Sequence, residues 1–302
     1  AMAVQQSINY TRINEYEADR VGLETLNSAG FDPYGMPDFF ETMGRLSGSW
    51  GNRAPEFLLT HPVSSTRIAE TRARADQLPR NEVYENPEYP LMRERVRVLT
   101  GESSRDLVLH YEDQLRQTPE EYEHIRYGYG LALIRDGRSD DAIRVFHDLL
   151  EENETVIAFH SGLGQAMMAA GQPNESVIVF EKALTLFPRN VPLTVRYAES
   201  LMWAKQYARA HEILLDLFNN VPPTPSQVRL IANAAGGAGQ QAEAHYYMCE
   251  YYLLNGNVMM AVDQLDLALS QPGLQDIQRA RFQARRNQLL PYLPKNHPAK
   301  PG

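Results

Sequence analysis

GRSDDAIRVFHDLL (137–150), GQPNESVIVFEKAL (171–184) and KQYARAHEILLDLF (205–218) are three copies of one pattern, each 34 residues after the last. A small residue stands at Ala142, Ser176 and Ala210, and a bulky apolar one follows four positions later at Phe146, Phe180 and Leu214. Gly130, Gly164 and Ala198 recur at the same interval, and Pro188 and Pro222 are again 34 apart. The apolar spacing is helical, and the period is that of a helix–turn–helix unit. One such unit cannot bury its apolar face alone, so neighbours must stack. The small positions let the two helices of a unit approach closely, and Phe146 and Phe180 fill the space between units. The pattern predicts an all-α array, a solenoid whose concave face is open to other proteins.

Outward from these stretches, the periodicity defines a domain over 91–290 that resembles a tetratricopeptide-repeat array. Helix pairs are expected at 91–99 with 105–117, 121–136 with 140–152, 156–170 with 174–187, and 193–205 with 208–219. Pro222-Pro223-Thr224-Pro225 reads as a break, followed by a single helix over 227–238. The last pair is expected at 242–254 with 258–270, its small and bulky positions being Ala261 and Leu265, and 276–290 caps the stack. Residues 81–90 read as a linker and the proline-rich 291–302 as a disordered tail. In an array of this type the first helix of each pair lines the concave face. That register points Tyr127, Leu131, Arg135, Gln165, Met168, Glu199, Trp203, Tyr246 and Glu250 into a partner-binding groove, where aromatic residues and Arg are favoured anchors. For Trp203 and Tyr246, packing against a neighbouring helix stays open as the alternative.

Composition narrows the function classes. A formal charge of −9 and a pI near 5.4 argue against a general nucleic-acid binder, because neutralising phosphates needs a basic surface. No run of 18 apolar residues is present, so no membrane-spanning helix is expected, and peripheral membrane association stays open. The single cysteine, Cys249, excludes an internal disulfide and is expected at a packed helix position. It is compatible with cytosol or periplasm.

Residues 1–80 follow a different logic. Helices are expected over 3–29, closed by Gly30, over 36–46, and over 64–77 with Ser64 or Ser65 as N-cap. Ser47–Pro55, rich in Gly, Ser and Asn, reads as a mobile surface loop. On the first helix Glu15 and Asp19 are four apart, so both carboxylates share one face. Taken alone, that pair is a solvated helix face or a carboxylate set in which one member meets a metal and the other orients a neighbouring group.

Glu15-Tyr16-Glu17-Ala18-Asp19-Arg20-Val21-Gly22 resembles the E-x-x-A-D-x-x-G element of HtpX-like zinc metallopeptidases, and Thr60-His61-Pro62 with Arg67-Ile68 resembles their T-H-P-x-x-x-x-R-I element. With Gly30-Phe31-Asp32-Pro33 and repeats downstream, the arrangement is similar to the BepA-type periplasmic proteases. The resemblance implies that residues 1–80 are the C-terminal part of a zinc metallopeptidase domain. It implies one zinc ion with Glu15 as a ligand, Asp19 as the carboxylate that orients a group beside it, and His61 near the metal. There His61 would be a ligand or would replace the catalytic water. Asp19 and His61 are thus the candidate catalytic-site residues, and Glu15 and His61 the candidate metal ligands.

One departure is large. The H-E-x-x-H helix, which supplies two zinc histidines and a glutamate, is absent from this chain. His211-Glu212 continues as Ile213-Leu214-Leu215, and none of the eight histidines has another four residues on. The chain is therefore expected to be incomplete at zinc and inactive alone. It would belong to a longer periplasmic endopeptidase and chaperone that acts on unfolded or stalled outer-membrane proteins and docks their assembly machinery. The alternative is a non-catalytic repeat adaptor or chaperone.

Overall fold

The computed structural model describes residues 2–50, 63–81, 86–117 and 122–294, with side chains in the first stretch described from 13 to 45. Among the described residues it is all-α, with fifteen helices and no strand. The chain divides into two compact units, Ala1–Asn86 and Pro87–Gly302.

The first unit contains α1 (Met2–Ser28), α2 (Gly35–Trp50) and α3 (Ser65–Ala75). After α1, Gly30 takes φ +83°, its N–H reaches the Asn27 carbonyl, and the Phe31 N–H reaches that of Leu26. This is the paired closure that a residue in the left-handed region permits, and it is why Gly stands here. Asp32 Oδ1 then accepts the Tyr34 N–H at 3.0 Å and turns the chain into α2. At the start of α3 the Ser64 hydroxyl accepts the Arg67 N–H at 3.3 Å, the expected N-cap. α3 packs on both α1 and α2, with Leu23, Phe40, Met43 and Ala75 buried. The helix α2 runs on through Ser47-Gly48-Ser49 to Trp50, where the composition had pointed to a loop. Helix propensity is a weak prior, and an established helix adds one hydrogen bond per further residue. The rest of that expected loop, and the Thr60-His61-Pro62 element, lie outside the described residues.

The second unit is a run of twelve helices: α4 (Glu88–Thr100), α5 (Ser104–Gln117), α6 (Glu123–Arg135), α7 (Ser139–Glu152), α8 (Ile157–Ala169), α9 (Pro173–Leu186), α10 (Val191–Trp203), α11 (Tyr207–Asn220), α12 (Pro225–Gly237), α13 (Gln241–Leu254), α14 (Val258–Ser270) and α15 (Asp276–Leu289). From α5 onward each helix packs on the next, and α4, α6, α8, α10 and α12 also pack side by side as one layer. The small and bulky positions do what the period requires. Phe146 is fully buried, and a Cβ on Gly130 or on Gly162 would lie 2.7 or 2.3 Å from its ring. Gly164 meets Phe180 in the same way, at 2.3 Å. Ser176, in the slot that Ala142 and Ala210 fill elsewhere, donates its hydroxyl to the Gly164 carbonyl at 2.9 Å.

Three boundaries differ from expectation. Pro222–Pro225 does not break the array. Pro225 is the first residue of α12, and Thr224 with Gln227 forms its capping box, so these residues start a helix on schedule. Helices starting at 123, 157, 191 and 225 keep the 34-residue step, as do those at 139, 173, 207 and 241. Hence α13 is the second helix of a pair with α12, not the first of a pair with α14. The expected linker is helical from Glu88, because Pro90 sits in the first turn, where no intrahelical N–H is lost. The expected tail remains packed as far as Leu293, which is 3% exposed behind a short 3₁₀ turn.

Candidate functional site

In the first unit, Arg67 joins the two motif elements. Glu15 and Asp19 stand one turn apart on α1, and Arg67 reaches them from the first turn of α3. Its Nε donates to Asp19 Oδ2 at 2.7 Å and its Nη2 to Asp19 Oδ1 at 2.6 Å, a bidentate fork. Its Nη1 lies 2.9 Å from Glu15 Oε2. Arg67 and Asp19 are both buried, and the guanidinium sits 5.0 Å over the Phe40 ring. Hydrogen bonding to Asp19 outweighs the opposing cost of burial and holds the Arg67 pKa above its ordinary value. One guanidinium between two carboxylates fixes the direction of both acids. By contrast, Glu17 and Arg20 pair with each other on the exposed face.

This arrangement suits a metal site in kind and falls short in number. A carboxylate such as Glu15 is an acceptable zinc ligand, and catalytic zinc takes three protein ligands with one position open. Among the described residues no group of three His, Cys, Asp or Glu side chains is placed to hold an ion. His61 lies outside the described residues. Asp19 is engaged by Arg67, a residue that stood in the second motif without a role of its own. The 48-residue separation gives sequence reading no means to pair them.

In the second unit the layer of first helices carries two concavities. The larger, about 1150 Å³, runs across α4, α6, α8, α10 and the start of α12, with Leu91, Arg95, Ile157, Ser161 and Arg196 in its lining. The second, about 750 Å³, brings together Gln165, Met168, Glu199 and Trp203, four of the residues expected in a groove, with Ile134 and Arg196. Trp203 is 72% exposed. Arg196 holds Glu199 at 2.7 Å and borders both concavities, as Glu199 does. Arg95 and Arg196 were missed. The available signal was their place on the first helices.

Of the other expected groove residues, Tyr127 reaches the edge of the larger concavity and the rest lie elsewhere. Tyr127 is fully buried, its ring 6.1 Å from both Phe146 and Phe159, and only its hydroxyl reaches outward to Arg95 Nη1 at 3.2 Å. Leu131 is buried in the same core. Arg135 is exposed and donates to the Val98 carbonyl at the end of α4. Tyr246 and Glu250 turn away from the layer because α13 is a second helix. Tyr246 stacks on Phe282 at 5.2 Å, and Glu250 takes a two-point ion pair from Arg285, both on α15. Cys249 is buried beside them, and desolvation pushes its thiol pKa up to about 12.

Comparison with known proteins agrees with this division. Residues 1–75 match Peptidase family M48, and residues 167–234 match the tetratricopeptide repeat. A protein of Yersinia pestis named beta-barrel assembly-enhancing protease is 26% identical over 96% of this chain and 60% of its own length. A protein of the same name from Escherichia coli K12 is 28% identical over 94% of this chain and 58% of its own. The chain thus spans about three fifths of the length of these relatives. Among solved structures, a thermophilic tetratricopeptide-repeat protein of Thermus thermophilus covers 65% of this chain and 97% of its own at 17% identity, with a TM-score of 0.42. The resemblance read from the two motif elements and the repeats is borne out.

Proposed function

We propose that this chain, whose residues 1–75 match peptidase family M48 and 167–234 the tetratricopeptide repeat, is the repeat-bearing part of a periplasmic zinc endopeptidase that acts on outer-membrane proteins during their assembly. The observation that carries this reading is the Arg67 cluster. A buried guanidinium locked to Asp19 and reaching Glu15 is a costly arrangement that packing alone does not need. It holds Glu15 in a fixed direction, as a metal ligand requires. One zinc ion would take Glu15 from this chain and two histidines from an H-E-x-x-H helix that this chain does not contain, which leaves the fourth position to water, or to His61 when that residue replaces it. The ion, when bound, supplies Lewis-acid activation of the attacking water. The two concavities of the repeat layer would hold an unfolded segment or a component of the assembly machinery, consistent with the name that the relatives carry.

A non-catalytic adaptor is the second reading, favoured by the two concavities of the repeat layer, which need no metal to hold a partner. One experiment separates the two. A polypeptide joining such a helix to this chain is expected to cleave casein in a chelator-sensitive way. Glu15→Gln should abolish cleavage while helical circular dichroism stays unchanged, and the chain by itself should cleave nothing. Full cleavage by the Glu15→Gln protein would overturn the peptidase reading.

A further inference from the structure

Over most of this surface exposed apolar side chains stand singly, as on any soluble protein. Helix α4 is the exception. Tyr89, Met92, Val96 and Leu99 are each between 40% and 69% exposed, and no other helix carries more than two large apolar side chains so exposed among the described residues. Steps of three, four and three place them on one face of the helix. The opposite face, with Leu91, Glu94 and Val98, is buried within the second unit.

Guanidiniums edge this stripe on both sides. Arg93 stands four residues from Tyr89 and three from Val96, with Arg97 one turn further on. Arg95 runs along the other edge, between Met92 and Leu99. Arg93 and Arg97 keep close to half of their side-chain surface in solvent. Behind their edge a cavity of about 320 Å³ opens between α4, α5 and α6. In its lining the buried Glu94 accepts the Tyr111 hydroxyl at 3.0 Å and takes Arg93 at 2.8 Å and Arg97 at 2.5 Å. His110 and His124 line it too, and Arg97 Nη1 stands 3.5 Å from His110 Nε2. Two guanidiniums against one carboxylate leave one positive charge there, in a chain whose overall charge is −9.

An apolar stripe favours an apolar medium, and its basic edges favour anions a side chain's length above that medium. An anionic bilayer offers both in that order, acyl chains below and phosphates above, and arginine stems can lie along the boundary with their heads at the phosphates. Because the cations flank the stripe on both sides, a plane of anions meets them together, whereas a single acidic group would meet one edge. A phosphodiester carries one negative charge, which matches the single excess charge of the cavity, and a guanidinium fork suits its oxygens. Among the described residues no helix is long and apolar enough to cross a membrane, so the mode open to α4 is to lie along its surface.

We propose that α4 docks on an anionic phospholipid surface, with Tyr89, Met92, Val96 and Leu99 in the boundary between headgroups and acyl chains, and with Arg93 and Arg97 on lipid phosphates at the mouth of the cavity. The proposal goes beyond the peptidase reading and does not rest on it, so a failed cleavage assay leaves it untouched.

The test is cosedimentation of the whole chain with vesicles of phosphatidylcholine alone and of equimolar phosphatidylcholine and phosphatidylglycerol. The chain should bind the mixed vesicles, bind the neutral ones about tenfold or more weakly, and be released as salt rises. An environment-sensitive dye localises the contact. Placed through Thr100→Cys, at an exposed position beside the stripe, it should brighten with mixed vesicles, and placed through Ile178→Cys, exposed on α9, it should not. The native Cys249 is buried and takes no label. Arg97→Gln should weaken binding about fivefold, and Val96→Ser with Leu99→Ser about tenfold or more. Should one of these variants fail to fold, by circular dichroism, the lipid, salt and dye readings still decide. Equal binding to both vesicles, binding to neither, or a dye at 178 that brightens as much as one at 100 would each overturn the proposal. So would release of the chain by inorganic phosphate at the concentration of the vesicle lipid, which would mean a site for free phosphate. A dimer in vesicle-free buffer that Val96→Ser with Leu99→Ser dissociates would overturn it as well, since a second copy of the chain would then cover the stripe.

Discussion

Replacing Arg67 by Met removes one buried cation from between two carboxylates while keeping a long unbranched stem. A guanidinium and a carboxylate about 4 Å apart attract by about 4 kcal/mol at an effective dielectric of about 20. The two contacts, to Asp19 at 2.6 Å and Glu15 at 2.9 Å, therefore represent a large gross attraction. Most of it is offset by the cost of taking the charges out of water, and breaking a buried pair from one side costs about 3–5 kcal/mol, because the partner is left charged and unpaired. Among the described residues the first unit buries Leu23, Phe40, Met43 and Ala75, and a loss of that size is a large fraction of the usual stability of a domain, about 5–15 kcal/mol, so it should open the unit. The assay is hydrogen exchange of α1 and α3 followed by mass spectrometry. Protection should fall by about 10²–10⁴-fold in Arg67→Met. Adding Asp19→Asn should restore about 2 kcal/mol or more, because the stranded charge is gone. Arg67→Lys should lie between the wild type and Arg67→Met. If Arg67→Met loses no more protection than the double variant, the cluster is not an electrostatic lock, and the argument for a directed Glu15 falls with it.

Two further outcomes follow from the packing and the titrating groups. Gly164→Ala should lower stability, because its Cβ would lie 2.3 Å from the buried Phe180 ring, and overpacking costs about 1–3 kcal/mol against a propensity gain of about 1. Gly236→Ala, whose nearest neighbour would be the Ala244 Cβ at 3.6 Å, should instead stabilise. Denaturation midpoints that move in the same direction for both would refute that reading. Alkaline stability should depend on Cys249, whose thiol pKa is pushed up to about 12 by burial. A raised folded pKa means that the unfolded chain ionises first, so the contribution is whole below about pH 8.5 and is lost as pH rises towards 12. Denaturation series with Cys249→Ala should show a flatter alkaline arm, and the native thiol should resist alkylation at pH 8 until urea is added. An equally steep arm in both proteins would remove the cysteine from the account.

Much of the second unit was readable because repeats make local and global preferences agree. The 34-residue step, the small residues opposite Phe146 and Phe180, and the glycine turns all act within one helix pair or its neighbour. The frame was lost at Pro222–Pro225, where three prolines suggested a break. Proline at the first helical position starts a helix as readily as proline elsewhere stops one, and Thr224 with Gln227 was the capping signal that distinguished the two. The slip put Tyr246 and Glu250 on the wrong face, although the helix that carries them was expected correctly.

The sequence by itself determined the helical class, the repeat period and the two elements that resemble those of a peptidase, because each is written in residues close along the chain. It also put Glu15 and Asp19 on one face of α1, since four residues make about one turn. Only the tertiary structure decided that Arg67, 48 residues away, is the partner of Asp19. It alone decided that Tyr127 fills the core while Trp203 stands in solvent, and that Arg93 and Arg97 converge on a buried Glu94. Helical periodicity says which side chains share a face, whereas burial and charge pairing depend on what other elements bring to that face.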